Sequence, residues 1–289
     1  MKYKKHKLAV NYLDKESNDY FLSCSDDGTV IRWKVIPPTS AETPSEFKFK
    51  ILSLFSVKCQ VLRGHTAKVT QVLSANEFIF SCSDDKTIRC YLSTNDDREP
   101  KFIKSITAKN MNGNFVCMLD IDGLMLVTTS TDNIMRFLDY KTLQNLPEKS
   151  VDNVECAGVN CMRLLKFSLI IGGKGKVTVY DLKKKQIIIT NDIIGNNVVR
   201  GFGLIDLENL ICVDSGYNIY CIYVDGKNNA QITFRKNMKE GNSSITGMGL
   251  MFKEYFFIID DQSTIKEIRY AIDNWIDNDL LFIFNGITV

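Results

Sequence analysis

Short runs of alternating apolar and polar residues, separated by polar turns, cover most of the chain. Residues 68–92 show the pattern most clearly, with an alternating segment at 68–73, a second strand at 78–82 and a third at 87–92. β-Branched and aromatic side chains fill these segments, and no stretch keeps the apolar period of a helix. The pattern predicts an all-β protein built from short strands and tight turns.

A twelve-residue pattern occurs twice in the first third of the chain. Residues 22–33 read LSCSDDGTVIRW, and residues 80–91 read FSCSDDKTIRCY. Six positions are identical, and Trp33 in the first copy corresponds to Tyr91 in the second. The polar residues between the two apolar halves are those that a tight hairpin turn favours. Two such similar copies within one chain indicate a structural repeat.

Fainter copies of the pattern follow at residues 127–139, 170–182, 212–224 and 258–270. The aromatic position of the pattern falls in these copies at Leu138, Tyr180, Tyr223 and Ile268. Starting from Trp33, successive aromatic positions lie 58, 47, 42, 43 and 45 residues apart. Apart from the first step, this spacing of about 40–45 residues is typical of four-stranded propeller blades.

The two histidines occupy the same place in consecutive repeats. His65 precedes Tyr91 by 26 residues, and His6 precedes Trp33 by 27. With a Gly-His pair at 64–65 and an aromatic residue closing the third strand, the chain resembles the WD-repeat β-propeller family. The period extends over the whole chain, while the specific motifs cover about residues 6 to 140.

In that family a His, a Ser or Thr, a turn Asp and the Trp form a buried hydrogen-bond network that holds a blade together. The resemblance implies two such structural networks in this chain. Their members are His65, Ser81, Asp85 and Tyr91 in the second repeat, with Tyr replacing Trp, and His6, Ser23, Asp27 and Trp33 in the first. Both ring nitrogens of a buried imidazole need partners, and neighbouring Asp and Ser side chains supply them.

The repeats also depart from the family pattern. No Gly precedes His6, and the third to sixth units contain no histidine. Lys174 stands where the turn Asp of the fourth unit would be. Blade boundaries are therefore less well defined in the second half of the chain.

We expect residues 1–289 to form a single β-propeller of four-stranded blades. Six blades fit the six units, with residues 280–289 as a final outer strand, and seven blades, one of them built from irregular pieces, is the alternative. Only five residues precede His6, so the N-terminus can add little to the closure of the ring. An incompletely closed propeller would leave an edge to which a partner's strand can add.

An insertion lengthens the first unit. About twenty residues at 36–55 precede the next recognisable strand, and three of the five prolines lie there, namely Pro37, Pro38 and Pro44. We expect residues 36–55 to be a loop inserted within the first blade, and it is either a tolerated surface loop or a partner-binding site.

Composition limits the compartment and the partners. The chain has 36 Lys and Arg against 34 Asp and Glu, so any basic surface must be local. No apolar run approaches the ~18 residues of a membrane span, and the N-terminus lacks the apolar core of a signal peptide. Nine Cys without a CxxC pair indicate reduced, buried thiols. We expect the cytoplasm as the location, with the nucleus as the alternative.

The sequence also argues against catalysis. Because both histidines belong to structural networks, we expect no catalytic residues, no metal site and no cofactor. The run GGKGK at 172–176 lacks the spacing of a phosphate loop and leads into a strand. Acidic pairs recur in equivalent turns, whereas a catalytic pair would occur once.

We therefore expect a non-catalytic protein–protein interaction scaffold that is a subunit of a larger complex. In the family, partner contacts often come from the face that carries the tight turns, and the resemblance implies contact residues beside those turns at Asp26, Asp84, Thr131 and Lys174. Nucleic acid is expected only through local basic turns such as residues 183–185. Two alternatives stay open: an open propeller completed by a partner's strands in a coat, pore or ribosome-assembly complex, and an enzyme that uses a channel cysteine.

Overall fold

A computed structural model describes most of the chain in separate ranges. These are residues 5–36, 56–94, 98–107, 115–121, 125–131, 134–139, 142, 144, 146, 150–151, 159–193, 196–225, 229–238, 243–252, 255–260, 264–269 and 284–288. Within them the chain forms 23 strands arranged in six sheets, which we number in chain order.

The six sheets are antiparallel, and in each one the strands lie side by side in chain order. Sheet 1 contains β1 (Val10–Lys15), β2 (Tyr20–Ser25), β3 (Val30–Ile36) and β4 (Ser56–Leu62), and sheet 2 contains β5 (Val69–Ala75), β6 (Phe78–Ser83), β7 (Thr87–Leu92) and β8 (Lys101–Thr107). Sheet 3 contains β9 (Phe115–Ile121), β10 (Met125–Ser130) and β11 (Met135–Asp139). Sheet 4 contains β12 (Cys161–Leu165), β13 (Ser168–Gly172), β14 (Lys176–Asp181) and β15 (Gln186–Asp192). Sheet 5 contains β16 (Val199–Leu204), β17 (Asn209–Asp214), β18 (Asn218–Val224) and β19 (Ala230–Asn237), and sheet 6 contains β20 (Ile245–Phe252), β21 (Tyr255–Asp260), β22 (Thr264–Arg269) and β23 (Phe284–Thr288).

The chain divides into two compact units. Residues 1–132 and 136–150 form the first unit, and residues 133–135 and 151–289 form the second. Sheets 1 to 3 belong to the first unit and sheets 4 to 6 to the second. In sheet 3 the described residues beyond β11 pair with that strand: the Leu146 amide donates to the Phe137 carbonyl at 2.7 Å, and the Asp139 amide donates to the Gln144 carbonyl at 2.9 Å.

Neighbouring sheets within a unit pack face to face through the apolar side chains of their strands. Between sheets 1 and 2, Leu22 and Cys24 pack with Val69, Val72 and Ile79, and these five side chains are fully buried. Each large apolar side chain buried in this way stabilises the fold by about 1.5–3 kcal/mol. The alternation read from the sequence therefore marks the faces on which consecutive sheets contact each other.

Arg32 on β3 adds a polar link between sheets 1 and 2. Its side chain is 2% exposed, and its Nε donates to Glu16 at 2.7 Å while its guanidinium lies 3.8 Å from the centre of the Tyr20 ring. Its Nη2 donates to the Thr94 carbonyl beyond β7 at 2.6 Å. A buried charge paired in this way fixes how the two sheets meet, although it contributes less to net stability than an apolar contact of its size.

The aromatic position assigned to the fifth unit was wrong. Val213 pairs with Ile219 across the turn of sheet 5, just as Cys82 pairs with Ile88 in sheet 2. Counting three residues onward from Ile88 gives Tyr91, whereas counting from Ile219 gives Ile222 and not Tyr223. Tyr223 is instead 39% exposed, because it lies one residue further along the strand and faces the other side of the sheet.

The predicted fold class is confirmed: the described residues form an all-β structure in which five of the six sheets are four-stranded and antiparallel, as propeller blades are. The six-blade ring, its closure and the single domain over 1–289 stay predictions. The segment between Ile36 and Ser56, where the insertion was predicted, lies outside the described residues, and β23 pairs with β22 where a final outer strand was expected. No helix long and apolar enough to span a membrane occurs among the residues in the ranges above.

Candidate functional site

In sheet 2, His65 connects the loop before β5 to the β6–β7 turn. Its Nδ1 lies 2.8 Å from the Asp85 carboxylate, and its Nε2 lies 2.8 Å from the Ser81 hydroxyl. A carboxylate only accepts hydrogen bonds, so Nδ1 carries the proton and Nε2 accepts one from Ser81. Asp85 also accepts the Thr66 amide at 3.0 Å and the Thr87 hydroxyl at 2.6 Å. This network closes the turn from both sides.

Sheet 1 contains the equivalent network, with one further member. His6 Nε2 lies 2.7 Å from the Ser23 hydroxyl, and its Nδ1 lies 3.3 Å from the Asp27 carboxylate and 3.1 Å from the Thr29 hydroxyl. Trp33 Nε1 donates to Ser23 at 2.8 Å. Because the Asp27 carboxylate can only accept, Nδ1 of His6 carries the proton, and Nε2 accepts the hydroxyl proton of Ser23, which itself accepts from Trp33. All four predicted members are thus joined in one chain of hydrogen bonds.

Tyr91 does not take the full place of the tryptophan. Its hydroxyl is buried but has no hydrogen-bond partner among the described residues, although Ser81 and Arg89 lie near enough to affect its pKa. Burial is the main cause that raises the pKa of Tyr91. The structure therefore brings His65, Ser81 and Asp85 together, while Tyr91 packs beside them.

Gly64 is needed where it precedes His65. Its φ is +133°, in a region that favours glycine, and a Cβ at this position would lie 2.1 Å from Nη1 of Arg89. The Arg89 guanidinium is held against Gly64 on one side and lies 5.2 Å from the centre of the Phe102 ring. The Gly-His pair thus combines a backbone requirement with close packing by a cationic side chain.

The network changes the proton affinities of its members. Burial lowers the pKa of His65, although Asp85 partly opposes this by its hydrogen bond and charge. Burial acts to raise the pKa of Asp85, but hydrogen bonds from Thr87, His65 and Thr66 outweigh it and leave the pKa lowered. In sheet 1, burial is likewise outweighed by hydrogen bonds from Thr29 and Lys7, and the pKa of Asp27 falls to about 2. A neutral imidazole beside an ionised carboxylate is therefore the stable state of the second network.

The networks support a polar surface at the turn end of sheets 1 and 2. Asp26 Oδ1 accepts Asn11 Nδ2 at 2.9 Å and lies 3.2 Å from Lys68 Nζ, while the Lys68 carbonyl accepts the Asp84 amide at 2.9 Å. Hydrogen bonding from Asn11 is the main cause that lowers the pKa of Asp26. We call these four residues, Asn11, Asp26, Lys68 and Asp84, the turn surface. It joins the two sheets and stays partly open to solvent.

Two of the predicted contact residues belong to the turn surface and two do not. Asp26 and Asp84 lie in it, joined through Lys68. Thr131 is exposed just after β10 in sheet 3. Lys174 is an exposed residue of the second unit, in the turn between β13 and β14, where its backbone pairs with Val198.

Asn11 and Lys68 were missed by the sequence reasoning. Strand β1 contains a bulge between Val10 and Tyr12, so Asn11 is left out of the pairing with β2. Its amide is thereby directed both to Asp26 and to the Val69 carbonyl, the latter at 2.8 Å. The sequence offered one signal for the bulge at Asn11. Asn11 lies five residues after His6, just as Thr70, at the bulge in β5, lies five residues after His65.

In the second unit, sheet 5 closes its turn with a buried carboxylate and no histidine. Asp214 at the end of β17 is fully buried, and its Oδ1 accepts the amides of Gly216 and Asn218 at 2.8 and 3.0 Å. Its Oδ2 accepts Asn218 Nδ2 at 2.8 Å, Tyr220 Oη at 3.2 Å and Asn197 Nδ2 at 3.4 Å. This network was not predicted, because the weakened repeat offered no histidine from which to find it.

The described residues offer little for nucleophilic or metal chemistry. No group of three or more His, Cys, Asp or Glu within them could hold a metal ion. Burial raises the pKa of Cys82 to about 12 and of Cys90 to about 11, and it also raises the pKa of Cys24, Cys161 and Cys212. Thiols with raised pKa form little thiolate at neutral pH and are weak nucleophiles.

Four-stranded blades with a His–Ser–Asp network, completed by Trp in sheet 1, are the features of a WD-repeat protein. A family model for the WD domain, G-beta repeat, matches residues 1–34 and 56–91, which contain most of the strands of sheets 1 and 2. The part of the chain that forms sheets 1 and 2 thus matches the WD-repeat family.

Two curated relatives support the same family. The chain is similar to nuclear distribution protein PAC1 of Candida glabrata, with 33% identity over 122 residues that cover 40% of this chain and 24% of that protein. It is also similar to nuclear distribution protein PAC1 of Eremothecium gossypii, with 34% identity over 73 residues that cover 25% of this chain and 15% of that protein. The matched region thus spans about a quarter or less of either relative. WD repeats indicate a protein-interaction scaffold.

Proposed function

We propose that the chain is a non-catalytic scaffold that binds a protein partner through its turn surface, as one subunit of a larger assembly. One observation carries the proposal: Asn11, Asp26 and Lys68 are joined across two sheets while Asp26 and Lys68 stay 35% and 44% exposed. Two buried histidine networks support the turns that carry Asp26 and Asp84.

Rigidity gives this surface its value for binding. Ordering a mobile side chain on association costs about 0.5–1.5 kcal/mol, and here that cost is already met during folding. The surface also has a defined charge pattern, since Asp26 pairs with Lys68 and the Asp84 amide donates to the Lys68 carbonyl. A partner that presents a cationic group to the two carboxylates fits this pattern.

Charge reversal on the turn surface tests the proposal. The full chain and its Asp26→Arg/Asp84→Arg variant are each used to capture proteins from the native cell, and the captured proteins are compared quantitatively. We expect the double variant to lose one defined set of partners, because two favourable charge contacts become repulsive.

Asp19→Arg is the control for charge reversal at a distant turn, with half the change of charge. Asp19 is exposed at the β1–β2 turn, which is the opposite end of sheet 1, so its reversal changes charge without touching the turn surface. If Asp19→Arg loses the same proteins, or if the double variant keeps all of them, partner binding by the turn surface is wrong.

A second candidate function follows from strand β1. Leu8, Val10 and Leu13, at and before this strand, are 60%, 50% and 61% exposed. This apolar surface supports the alternative in which a partner completes the structure. Under that alternative the chain purified alone should be cleaved rapidly near residues 8–13 by a protease, and a partner should suppress the cleavage. Slow cleavage of the isolated chain would remove this candidate.

A further inference from the structure

One end of sheet 4 carries lysines around an exposed phenylalanine. Lys166 and Phe167 form the β12–β13 turn, and Lys183, Lys184 and Lys185 lie in the β14–β15 turn. We call these five residues the lysine cluster. All five are exposed, and Phe167 retains 49% of its surface.

The backbone of the lysine cluster is held in place by hydrogen bonds. The Leu182 amide donates to the Phe167 carbonyl at 2.9 Å, which ties the two turns together. Asp181 is fully buried, and its Oδ1 accepts the amides of Lys183 and Lys184 at 2.7 and 3.0 Å. The lysines therefore project from a fixed turn, unlike those of a disordered basic loop.

One lysine packs on the aromatic ring instead of extending into water. Lys183 Nζ lies 3.4 Å from the centre of the Phe167 ring. Such a contact contributes about 0.5–1 kcal/mol at an exposed site. Together the ring and the ammonium form a small surface that is both cationic and apolar.

Sheet 5 extends this surface. Lys166 donates to Glu208 at 2.7 Å, which brings the β16–β17 turn against sheet 4. The second unit exposes four large apolar side chains among its described residues, and all four lie at this end of sheets 4 and 5: Phe167, Ile187, Leu207 and Tyr223, with exposed fractions of 49%, 40%, 74% and 39%. Exposed apolar side chains gathered at one end of a unit mark an interaction surface.

We propose that the lysine cluster and these neighbouring apolar side chains form a second docking surface, which binds an acidic protein segment that carries apolar residues. The inference extends the scaffold function proposed above and rests on it. Carboxylates of the segment would pair with Lys183, Lys184 and Lys185, and its apolar side chains would cover Phe167 and Leu207.

The charge pattern favours a protein segment over a membrane. An anionic lipid surface presents negative charge everywhere, but Asp206 and Glu208 flank the exposed Leu207 and would be repelled by it. A folded or extended protein segment can place acidic residues over sheet 4 and leave sheet 5 to apolar contact.

The test uses a fluorescein-labelled peptide in which Glu and Asp alternate with Leu and Phe, titrated with the purified full chain and followed by anisotropy. We expect binding that weakens with salt, because exposed charge pairs are screened. The Lys183→Glu/Lys184→Glu variant should weaken binding by roughly tenfold or more, and Phe167→Ala by several-fold.

Lys15→Glu/Lys101→Glu is the control with the same change of charge, at two exposed lysines of the first unit. It should change the affinity by less than about twofold, since its charges lie outside the lysine cluster. A matched peptide with Gln and Asn in place of Glu and Asp should bind weakly. Circular dichroism confirms that each variant is folded before it is titrated.

Three outcomes would overturn the proposal. In the first, the native chain and Lys183→Glu/Lys184→Glu bind the acidic peptide with equal affinity. In the second, the native chain binds the acidic peptide and its Gln/Asn counterpart equally, and in the third it binds phosphatidylcholine–phosphatidylserine vesicles or an RNA homopolymer more tightly than the acidic peptide. The Asp26→Arg/Asp84→Arg variant should keep its affinity for the peptide. Failure of the second docking surface is thereby separated from failure of the turn surface.

Discussion

In sheet 2 the turn between β6 and β7 is held by the Asp85 carboxylate together with a histidine from the preceding loop, whereas in sheet 5 the turn between β17 and β18 is held by the Asp214 carboxylate without a histidine. The backbones agree closely, since Lys86 and Tyr217 occupy the same turn position with φ of 65° and 63°. Ser83 accepts the amide two residues onward in the first case, and Asp214 does so in the second. One turn geometry is therefore compatible with two different polar networks.

The two solutions differ in what they leave exposed. In sheet 2 the histidine network occupies the interior, and Asp84 stays at the surface as part of the turn surface. In sheet 5 the acidic side chain itself is fully buried and engaged in five hydrogen bonds. The histidine-bearing repeats therefore keep acidic side chains at the surface, where a partner can reach them.

The largest effect is expected at Asp214. Asp214→Ala removes the acceptor of five hydrogen bonds and leaves buried donors unpaired, which should lower the free energy of unfolding by about 3–5 kcal/mol. Asp214→Asn keeps one acceptor oxygen and should lose about half as much. Urea unfolding followed by circular dichroism measures both.

Asp206→Ala is the control within the same sheet. Asp206 is exposed and accepts the amides of Glu208 and Asn209 at 2.7 and 2.8 Å, so its loss should cost only about 1 kcal/mol. If Asp214→Ala and Asp206→Ala lowered the free energy of unfolding equally, burial of the Asp214 carboxylate would not contribute to stability.

A smaller loss is expected at His65. His65→Ala leaves Asp85 and Ser81 without their imidazole partner and should lower the free energy of unfolding by about 1–3 kcal/mol. Thr66→Ala alters an exposed neighbour of His65 and should change the free energy of unfolding by less than about 0.5 kcal/mol. Loss of partner capture with an unchanged unfolding midpoint would show that His65 acts at the surface and not as a structural group.

Stability of the native protein should decline in mild acid because of the histidine network. Burial lowers the pKa of His65 in the folded state, so below about pH 6.5 the unfolded chain takes up a proton more readily and stability falls. Asp85 and Asp27 have lowered pKa values, about 2 for Asp27, so their contribution is retained above about pH 4 and lost below it.

His65→Asn isolates the histidine contribution to this pH dependence. Urea midpoints measured between about pH 7 and pH 5 should fall less in His65→Asn than in the native protein, because the asparagine does not titrate. Parallel curves for the two proteins would exclude a lowered pKa at His65.

The smallest effect is expected at Tyr91. Its hydroxyl has no hydrogen-bond partner among the described residues, so Tyr91→Phe should change the free energy of unfolding by less than about 0.5 kcal/mol. Trp33→Phe removes the donor to Ser23 and part of a buried side chain, and should cost about 1–2 kcal/mol. If Tyr91→Phe lowered the free energy of unfolding as much as Trp33→Phe, the tyrosine hydroxyl would be a member of the His65 network.

The repeated motif was sufficient to find sheets 1 and 2 and the partners of both histidines, because each of those residues has a fixed place relative to the turn. The same reasoning misassigned Tyr223, since two adjacent residues, Ile222 and Tyr223, fit the position and only the pairing of Val213 with Ile219 decides between them. Local patterns predict alternation well but leave a one-residue ambiguity in register.

The turn surface was predictable only in part. Asp26 and Asp84 could be named because they neighbour the turn residues of the motif. Asn11 reaches the surface through a bulge, and Lys68 belongs to it because sheets 1 and 2 pack together. Neither bulges nor packing between sheets have a short sequence signature, so structure was needed for both.

Hydrogen exchange of the chain bound to a captured partner tests the central proposal most directly. The binding scaffold described here predicts slower exchange on complex formation at residues 25–29 and 83–87, which are the turns beneath Asp26 and Asp84, and no such change in the Asp26→Arg/Asp84→Arg variant. Unchanged exchange in these two turns, with protection only elsewhere in the chain, would contradict it.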